Sequence, residues 1–171
     1  MKVICPLGFD LANGPNGNVV VGPGTKLSCD RAIRIANRLR GDRVILVTAG
    51  NAGERWFYAR MCNVMEDYIR SASRSVRVRA HCADMFNTFG EMEMLARAVS
   101  AIKDAEIILV VKNWHAPRAR YLLSFWLRKY DCRHPVSVRT YSQPVPVKIL
   151  AQEYVVSWPL NLLRVARFRF S

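Results

Sequence analysis

The chain has 171 residues and carries 26 Lys and Arg against 13 Asp and Glu, a formal net charge of +13. Hydrophobic residues make up 51 % and charged residues 23 %, a balance that excludes a disordered chain and a coiled coil. No apolar run approaches the roughly eighteen residues of a membrane-spanning helix, and the length is that of a single domain, 1–171, with a core large enough to need neither disulfide nor metal.

The chain enters a strand at once: Val3-Ile4-Cys5-Pro6-Leu7, without the apolar core or cleavage site of a signal peptide. A loop over 8–27 follows, long and rich in Gly, Pro and Asn, with Val19-Val20-Val21 readable as a short hairpin strand within it. Residues 28–40 read as a helix with Ser28 as N-cap and Ala32, Ile35, Ala36 and Leu39 on its apolar face. Residues 44–48 form a continuous apolar strand, as expected of one buried on both faces. Residues 54–70 read as a helix with Phe57, Met61, Val64, Met65 and Tyr68 as its inner stripe. Residues 76–80 alternate apolar and Arg, the pattern of an edge strand. A helix over 88–103, an apolar strand over 107–111, a helix over 114–129 and a strand over 136–140 follow. The last element is a helix over 147–168, interrupted at Pro159.

Strands separated by helices of this length require right-handed crossovers and a parallel sheet. The predicted fold is α/β, a Rossmann-like three-layer sandwich around a mostly parallel five-stranded sheet. Ligands of such folds bind beyond the carboxyl ends of the strands, so the loops there are the places to search. The first loop lacks both G-x-G-x-x-G and G-x-x-x-x-G-K-[ST], which disfavours a dinucleotide fingerprint and a P-loop.

Two segments at those ends carry the polar chemistry. Asn87-Thr88-Phe89-Gly90-Glu91 stands where the third of these strands passes into its helix. Thr88 and Glu91 fit a capping box on their own, and Asn87 adds donors and an acceptor at the rim of a cleft. Lys112-Asn113-Trp114-His115-Ala116-Pro117-Arg118 follows the apolar strand 107–111. Asn113 reads as an N-cap, and His115 and Arg118, three apart, share a helix face next to free backbone N–H groups. His115 is the candidate general acid or base. The histidines (His81, His115, His134) have no metal-ligand spacing, no G-x-S-x-G elbow accompanies them, and no cofactor motif is present. The five cysteines (Cys5, Cys29, Cys62, Cys82, Cys132) form no C-x-x-C pair, which argues against a disulfide framework and for a reducing compartment.

These segments together resemble the signatures of the DUF218 family, the YdcF-like, SanA-like and ElyC-like bacterial proteins. The family's Asn-Thr with a nearby Glu is similar to Asn87-Thr88 and Glu91. Its Thr-Ser-x-Tyr-His-x-x-Arg-Ala is similar to Val111-Lys112-Asn113-Trp114-His115-Ala116-Pro117-Arg118-Ala119. Its Val-Leu-Gly resembles the segment ending in Leu7-Gly8, and its Arg-x-x-x-Ala helix start resembles Arg31 to Ala36 with one residue more between the two. Its Ser-Gly-Gly turn resembles Thr48-Ala49-Gly50, and a C-terminal family Glu resembles Glu153. The departures are Val111 and Lys112 in place of two hydroxyl residues, Thr48-Ala49 in place of Ser-Gly, and Cys82 where an acidic residue often precedes Asn-Thr. The resemblance implies a Rossmann-like domain with a polar cleft linked to bacterial envelope biology. Its expected catalytic residues are His115 and Glu91; Gly8, Arg31, Thr48, Gly50, Asn87, Thr88, Lys112, Asn113, Arg118 and Glu153 line the expected binding site.

The expected function is the binding or transformation of an anionic, phosphorylated or nucleotide-like small molecule, with the chain cytoplasmic or peripheral to the inner membrane; if an enzyme, it is a hydrolase or transferase. The alternative is a non-enzymatic basic protein. The +13 charge favours nucleic acid. The C-terminal mixture of Trp158, Leu160, Leu162, Leu163, Val165, Phe168 and Phe170 with Arg164, Arg167 and Arg169 favours an acidic membrane surface.

Overall fold

The strands β1 (Lys2–Pro6), β4 (Arg43–Val47), β5 (Val78–Ala80), β6 (Glu106–Lys112) and β7 (Val136–Tyr141) form one sheet in the order β5-β4-β1-β6-β7. Every neighbouring pair in it is parallel. A separate antiparallel hairpin, β2 (Leu11–Asn13) with β3 (Val19–Val21), lies in the first long loop. The computed structural model describes residues 1–50, 59–84 and 87–169.

The sheet's layers follow from alternation along apolar strands, since successive side chains point to opposite faces. Val3, Cys5, Leu46, Ile107, Leu109 and Val111 enter a core beneath α3 (Thr88–Ser100) and α4 (Ala116–Lys129). Ile4, Ile45, Val47, Ile108 and Val110 enter a second core beneath α1 (Pro23–Arg38) and α2 (Met61–Ala72). In the first core Phe89, Trp126 and Phe125 pack edge to face or stacked, and Trp126 Nε1 donates to the Phe89 carbonyl at 3.1 Å. Such aromatic pairs add about 0.5–1.5 kcal/mol each beyond area burial.

Several boundaries differ from the sequence expectation. Helix α1 begins at Pro23, with Gly22 as N-cap and Pro at its first turn, because a non-local residue closes its end. The Asp10 carboxylate accepts from the Gly24 and Thr25 backbone N–H groups at 3.2 and 2.7 Å. Ser28 is therefore inside the helix, and its hydroxyl donates to the Val110 carbonyl at 3.2 Å. The buried residues of α1 include Cys29, Ala32, Ile33 and Ala36, while Ile35 and Leu39 lie only partly buried at the core's edge. Helix α2 begins at Met61, and its buried residues are Met61, Cys62, Met65 and Ile69; the expected start at 54 and Phe57 lie outside the described residues. The helix expected over 147–168 is three pieces: α5 (Val147–Ala151), a π-helical segment (Gln152–Ser157) and α6 (Trp158–Arg169). The irregularity falls at the wider turn before Pro159, which leaves Pro159 at the start of α6 where its missing N–H costs little.

The chain places β4 and β5 on one side of β1 and β6 and β7 on the other. The strand order therefore switches between β1 and β6, and in open α/β sheets the region beyond the carboxyl ends at such a switch is where ligands bind. Phe9 lies just after β1 at that point, Lys112 ends β6, and Trp114 and His115 follow it.

Candidate functional site

At the switch point a buried polar chain joins three elements. His115 immediately precedes α4, Thr88 is the first residue of α3, and Glu153 comes from the π-helical segment. Thr88 Oγ1 lies 3.2 Å from His115 Nε2, and His115 Nδ1 lies 2.9 Å from Glu153 Oε1. Two groups face Nδ1: Glu153 Oε1, which only accepts, and Arg118 Nη2 at 3.2 Å, which only donates and already serves Glu153 Oε2; the shorter contact to the carboxylate places the proton on Nδ1, and Nε2 accepts from the Thr88 hydroxyl. Arg118, one helical turn after His115, donates from Nε to Glu153 Oε1 at 2.6 Å and from Nη2 to Oε2 at 2.7 Å. That is the bidentate fork that makes an arginine–carboxylate pair strong and directional. His115, Arg118 and Glu153 are 4, 7 and 4 % exposed. The pair is thus shielded from solvent, and removing either partner would strand a charge.

Burial sets the protonation states. It holds the His115 imidazole below its ordinary value, and the Arg118 and Lys112 charges add to that against the Glu153 hydrogen bond. His115 is therefore neutral near pH 7, as a base must be. Burial alone would raise Glu153, but the His115 and Arg118 hydrogen bonds outweigh it and leave the carboxyl below its usual range. Glu91, one turn along α3 from Thr88, is pushed up to about 7 by desolvation, against the pull of the Gly50 backbone and the Arg118 charge. The Arg118 charge thus acts on both groups, the neutral imidazole and the carboxyl raised toward neutrality.

Lys112 brings a second cation close to the His115 ring through its aromatic neighbours. Its Nζ lies 4.1 Å from the centroid of Phe9 and 5.8 Å from that of Trp114. Phe9 and Trp114 also pack against the His115 ring, with centroids 5.7 and 5.4 Å away. Desolvation lowers the Lys112 ammonium from its ordinary value, opposed by Asp10. The Trp114 Nε1 donor is buried without a partner among the described residues.

The remaining sequence candidates fall elsewhere. Asn87, not Thr88, caps α3: its Oδ1 accepts from the Gly90 N–H at 3.1 Å. The hydroxyl of Thr88 is thereby left to His115. Asn113 is exposed and bonds the N–H of Trp114 at 2.9 Å; the N-cap position of α4 is His115 itself. Thr48 is fully buried, with its hydroxyl 3.8 Å from Cys5 Sγ. Gly50 touches the site through Glu91, and its carbonyl accepts from the Met61 N–H at 3.2 Å. Gly8 packs beneath α2, where a Cβ would stand 2.1 Å from Met61 Sδ. Arg31 shares none of the hydrogen bonds around His115 and lines a separate groove with Arg34, Ile35, Arg38, Leu39 and Arg139.

Two features escaped the sequence reading. Asp10 closes the α1 N-terminus from fifteen residues away, with Thr25 Oγ1 donating back to its carbonyl at 2.7 Å; the Gly-rich loop between them hides the pairing. Cys62 and Cys82 form a disulfide with Cα atoms 5.5 Å apart. This corrects the expectation from spacing, because the bond joins the first turn of α2 to the loop after β5, neighbours only in the fold. Among the described residues, no group of three or more His, Cys, Asp or Glu comes together to hold a metal ion.

The chain matches no protein-family model, no curated protein and no solved structure. The likeness to the DUF218 family therefore rests on the residues quoted above.

Proposed function

We propose that the chain is a DUF218-like enzyme, a hydrolase or transferase acting on a phosphorylated or nucleotide-like small molecule at the β1–β6 switch point. The observation that supports this reading is the hydrogen-bonded run Thr88–His115–Glu153, fastened by Arg118 and set beside a carboxyl held near neutrality. Glu153 fixes the imidazole tautomer so that Nε2 is left to accept from the Thr88 hydroxyl. The Thr88 hydroxyl takes a proton from the attacking water as it passes its own to His115 Nε2, and the water oxygen bonds to phosphorus. Glu91 gives its proton to the departing oxygen as the old phosphorus–oxygen bond breaks. Lys112 and the N-terminal end of α3 balance the developing negative charge. Arg118 works through Glu153 and positions His115, because two of its nitrogens are already spent on that carboxylate.

The test is phosphate release from a panel of nucleotides, sugar phosphates and phosphorylated cell-wall precursors. Turnover of at least one compound should fall about 10²–10⁴-fold in His115→Ala, the usual worth of a general base. Glu91→Gln should remove the limb of the pH–rate profile near pH 7. Retention of full turnover by folded His115→Ala would refute the reading.

One observation favours a second reading, a binding protein for polyanions. Arg31, Arg34, Arg38 and Arg139 converge on a groove of about 390 Å³ floored by Ile35 and Leu39. Among the described residues none of the four is paired with a carboxylate. Oligonucleotide binding that weakens steeply with salt, and that loses slope when these arginines are replaced, would support it.

A further inference from the structure

The segment 147–168 has a packed inner side and an outer side that exposes large apolar side chains. Its inner side is pinned: Glu153 is locked to Arg118 and His115, Asn161 and Val165 are 4 and 2 % exposed, and Phe168 packs on Phe89 and Trp126 with centroids 5.8 and 5.5 Å away. Its outer side exposes large apolar side chains between a few cations. Val147 is 81 % exposed, Val155 71 %, Leu163 67 % and Leu160 52 %, with Val156 and Leu162 close behind. Every large apolar side chain outside this segment that is comparably exposed among the described residues reduces to Met1. A helix solvated on its outer face keeps that face predominantly polar, and this one does not. A contiguous exposed patch of this kind marks an interaction surface.

The charges on the segment identify what covers it. Its cations Lys148, Arg164 and Arg167 are exposed, while its one acidic residue, Glu153, is buried in the ion pair. The outer face thus offers apolar side chains flanked by positive charge alone, on a chain of net charge +13. An apolar plane rimmed by anionic groups is the surface of an acidic bilayer. Tyr154, 49 % exposed, turns its hydroxyl to the body, where it donates to the Trp114 carbonyl at 3.0 Å. It brings an amphipathic ring to the interface and links the face to the loop that carries His115. No helix of the described residues is long and apolar enough to cross a membrane, so the contact is one of lying on the surface.

We propose that the outer face of 147–168 docks the protein on an anionic lipid surface, with Val155, Val156, Leu160 and Leu163 entering the headgroup region and Lys148 and Arg167 meeting lipid phosphates. This docking goes beyond the reaction proposed above and stands or falls separately from it. The test is co-sedimentation of the full chain with vesicles of phosphatidylcholine alone and of phosphatidylcholine mixed with phosphatidylglycerol. Binding is expected to the mixed vesicles, to weaken with salt, and to be slight on phosphatidylcholine. Leu160→Ser/Leu163→Ser should abolish it, and Lys148→Ser and Arg167→Ser should each lower it about fivefold, near 1 kcal/mol per cation. All these side chains are exposed, so an unchanged melting temperature verifies that the variants fold.

Three results would overturn the proposal. The first is absence of binding to either vesicle. The second is binding to mixed vesicles that the leucine variant leaves intact, which would assign the contact to charge elsewhere on the chain. The third is a concentration-dependent dimer in sedimentation velocity that the leucine variant dissolves, which would make a second copy of the chain the occupant.

Discussion

Replacing Glu153 by Gln tests whether the C-terminal segment is held to the body by its buried ion pair. The substitution keeps the side chain's volume and removes its charge. Arg118, 7 % exposed, then faces a neutral amide that must turn its NH₂ toward either the guanidinium or the His115 Nδ1–H. Both of those neighbours are donors, so at least one donor is left buried and unmatched. Breaking a buried pair by removing one partner costs about 3–5 kcal/mol, and retention of one acceptor places Glu153→Gln at the lower end. For a chain of this size the melting temperature should drop roughly 6–12 °C, at about 2–4 °C per kcal/mol. Thermal unfolding followed by circular dichroism measures it. The double variant Glu153→Leu/Arg118→Met replaces the pair by apolar side chains. It should be markedly more stable than the sum of the two single changes, since buried pairs exchange for well-packed apolar groups at little cost. A Glu153→Gln melting temperature within about 1 °C of the parent, or strict additivity in the double variant, would refute the closed arrangement of Glu153, Arg118 and His115.

Near neutral pH, His115 and Glu91 make opposed contributions to stability. His115 is held below its unfolded value of 6.5, so the unfolded chain binds the proton first and this contribution is lost as pH falls below about 6.5. Glu91 is raised from 4.5 to about 7, so its contribution is present at low pH and is lost as pH rises from 4.5 through 7. Glu91→Gln should therefore stabilise the chain at pH 8 and change little at pH 4 in urea titrations; equal effects at both would remove the perturbed carboxyl. Alkylation of the unreduced, denatured chain should add three labels, for Cys5, Cys29 and Cys132, and reduction should raise the number to five; five labels without reductant would disprove the Cys62–Cys82 bond. Reducing that bond, which closes a loop across a separation of 20 residues, should cost about 3 kcal/mol on the chain-entropy account, seen as a lower urea midpoint. Gly8→Ala should cost about 1–3 kcal/mol through overpacking against Met61; a neutral result would show that α2 stands farther from the sheet than its contact with Gly8 requires.

Local pattern carried the fold a long way. The apolar runs at 3–7, 44–48 and 107–111 are buried strands because residues covered on both faces need no polar alternation, and that is visible in any short window. The Arg-alternating stretch ending at Ala80 is an edge strand for the converse reason. The triplet Val19–Val21 pairs as a hairpin because turn residues flank it. Helix boundaries were less legible where the stabilising group came from a distance. Ser28 carries the side chain of an N-cap, but the α1 terminus is closed by Asp10, and no window around Ser28 contains that residue. Local composition likewise favours a capping box at Thr88 and Glu91. Asn87 takes the cap instead, which frees Thr88 for His115 and Glu91 for its desolvated position.

The candidate site divides along the same line. His115 and Arg118 share a helix face by their spacing, and Glu91 lies one turn from Thr88 for the same reason; helical geometry alone brings each pair together. The joining of those pairs to Glu153 is tertiary. It needs the switch of strand order between β1 and β6 and a π-helical turn that rotates one carboxylate inward while its neighbours face outward. Arg118 shows the consequence most directly. Its sequence setting suits an anion binder, and its folded partners make it a clamp on Glu153, because a guanidinium buried without a carboxylate would be too costly to keep. Residue chemistry and period are properties of the chain; which charge meets which is set by desolvation, and desolvation exists only once the layers have packed.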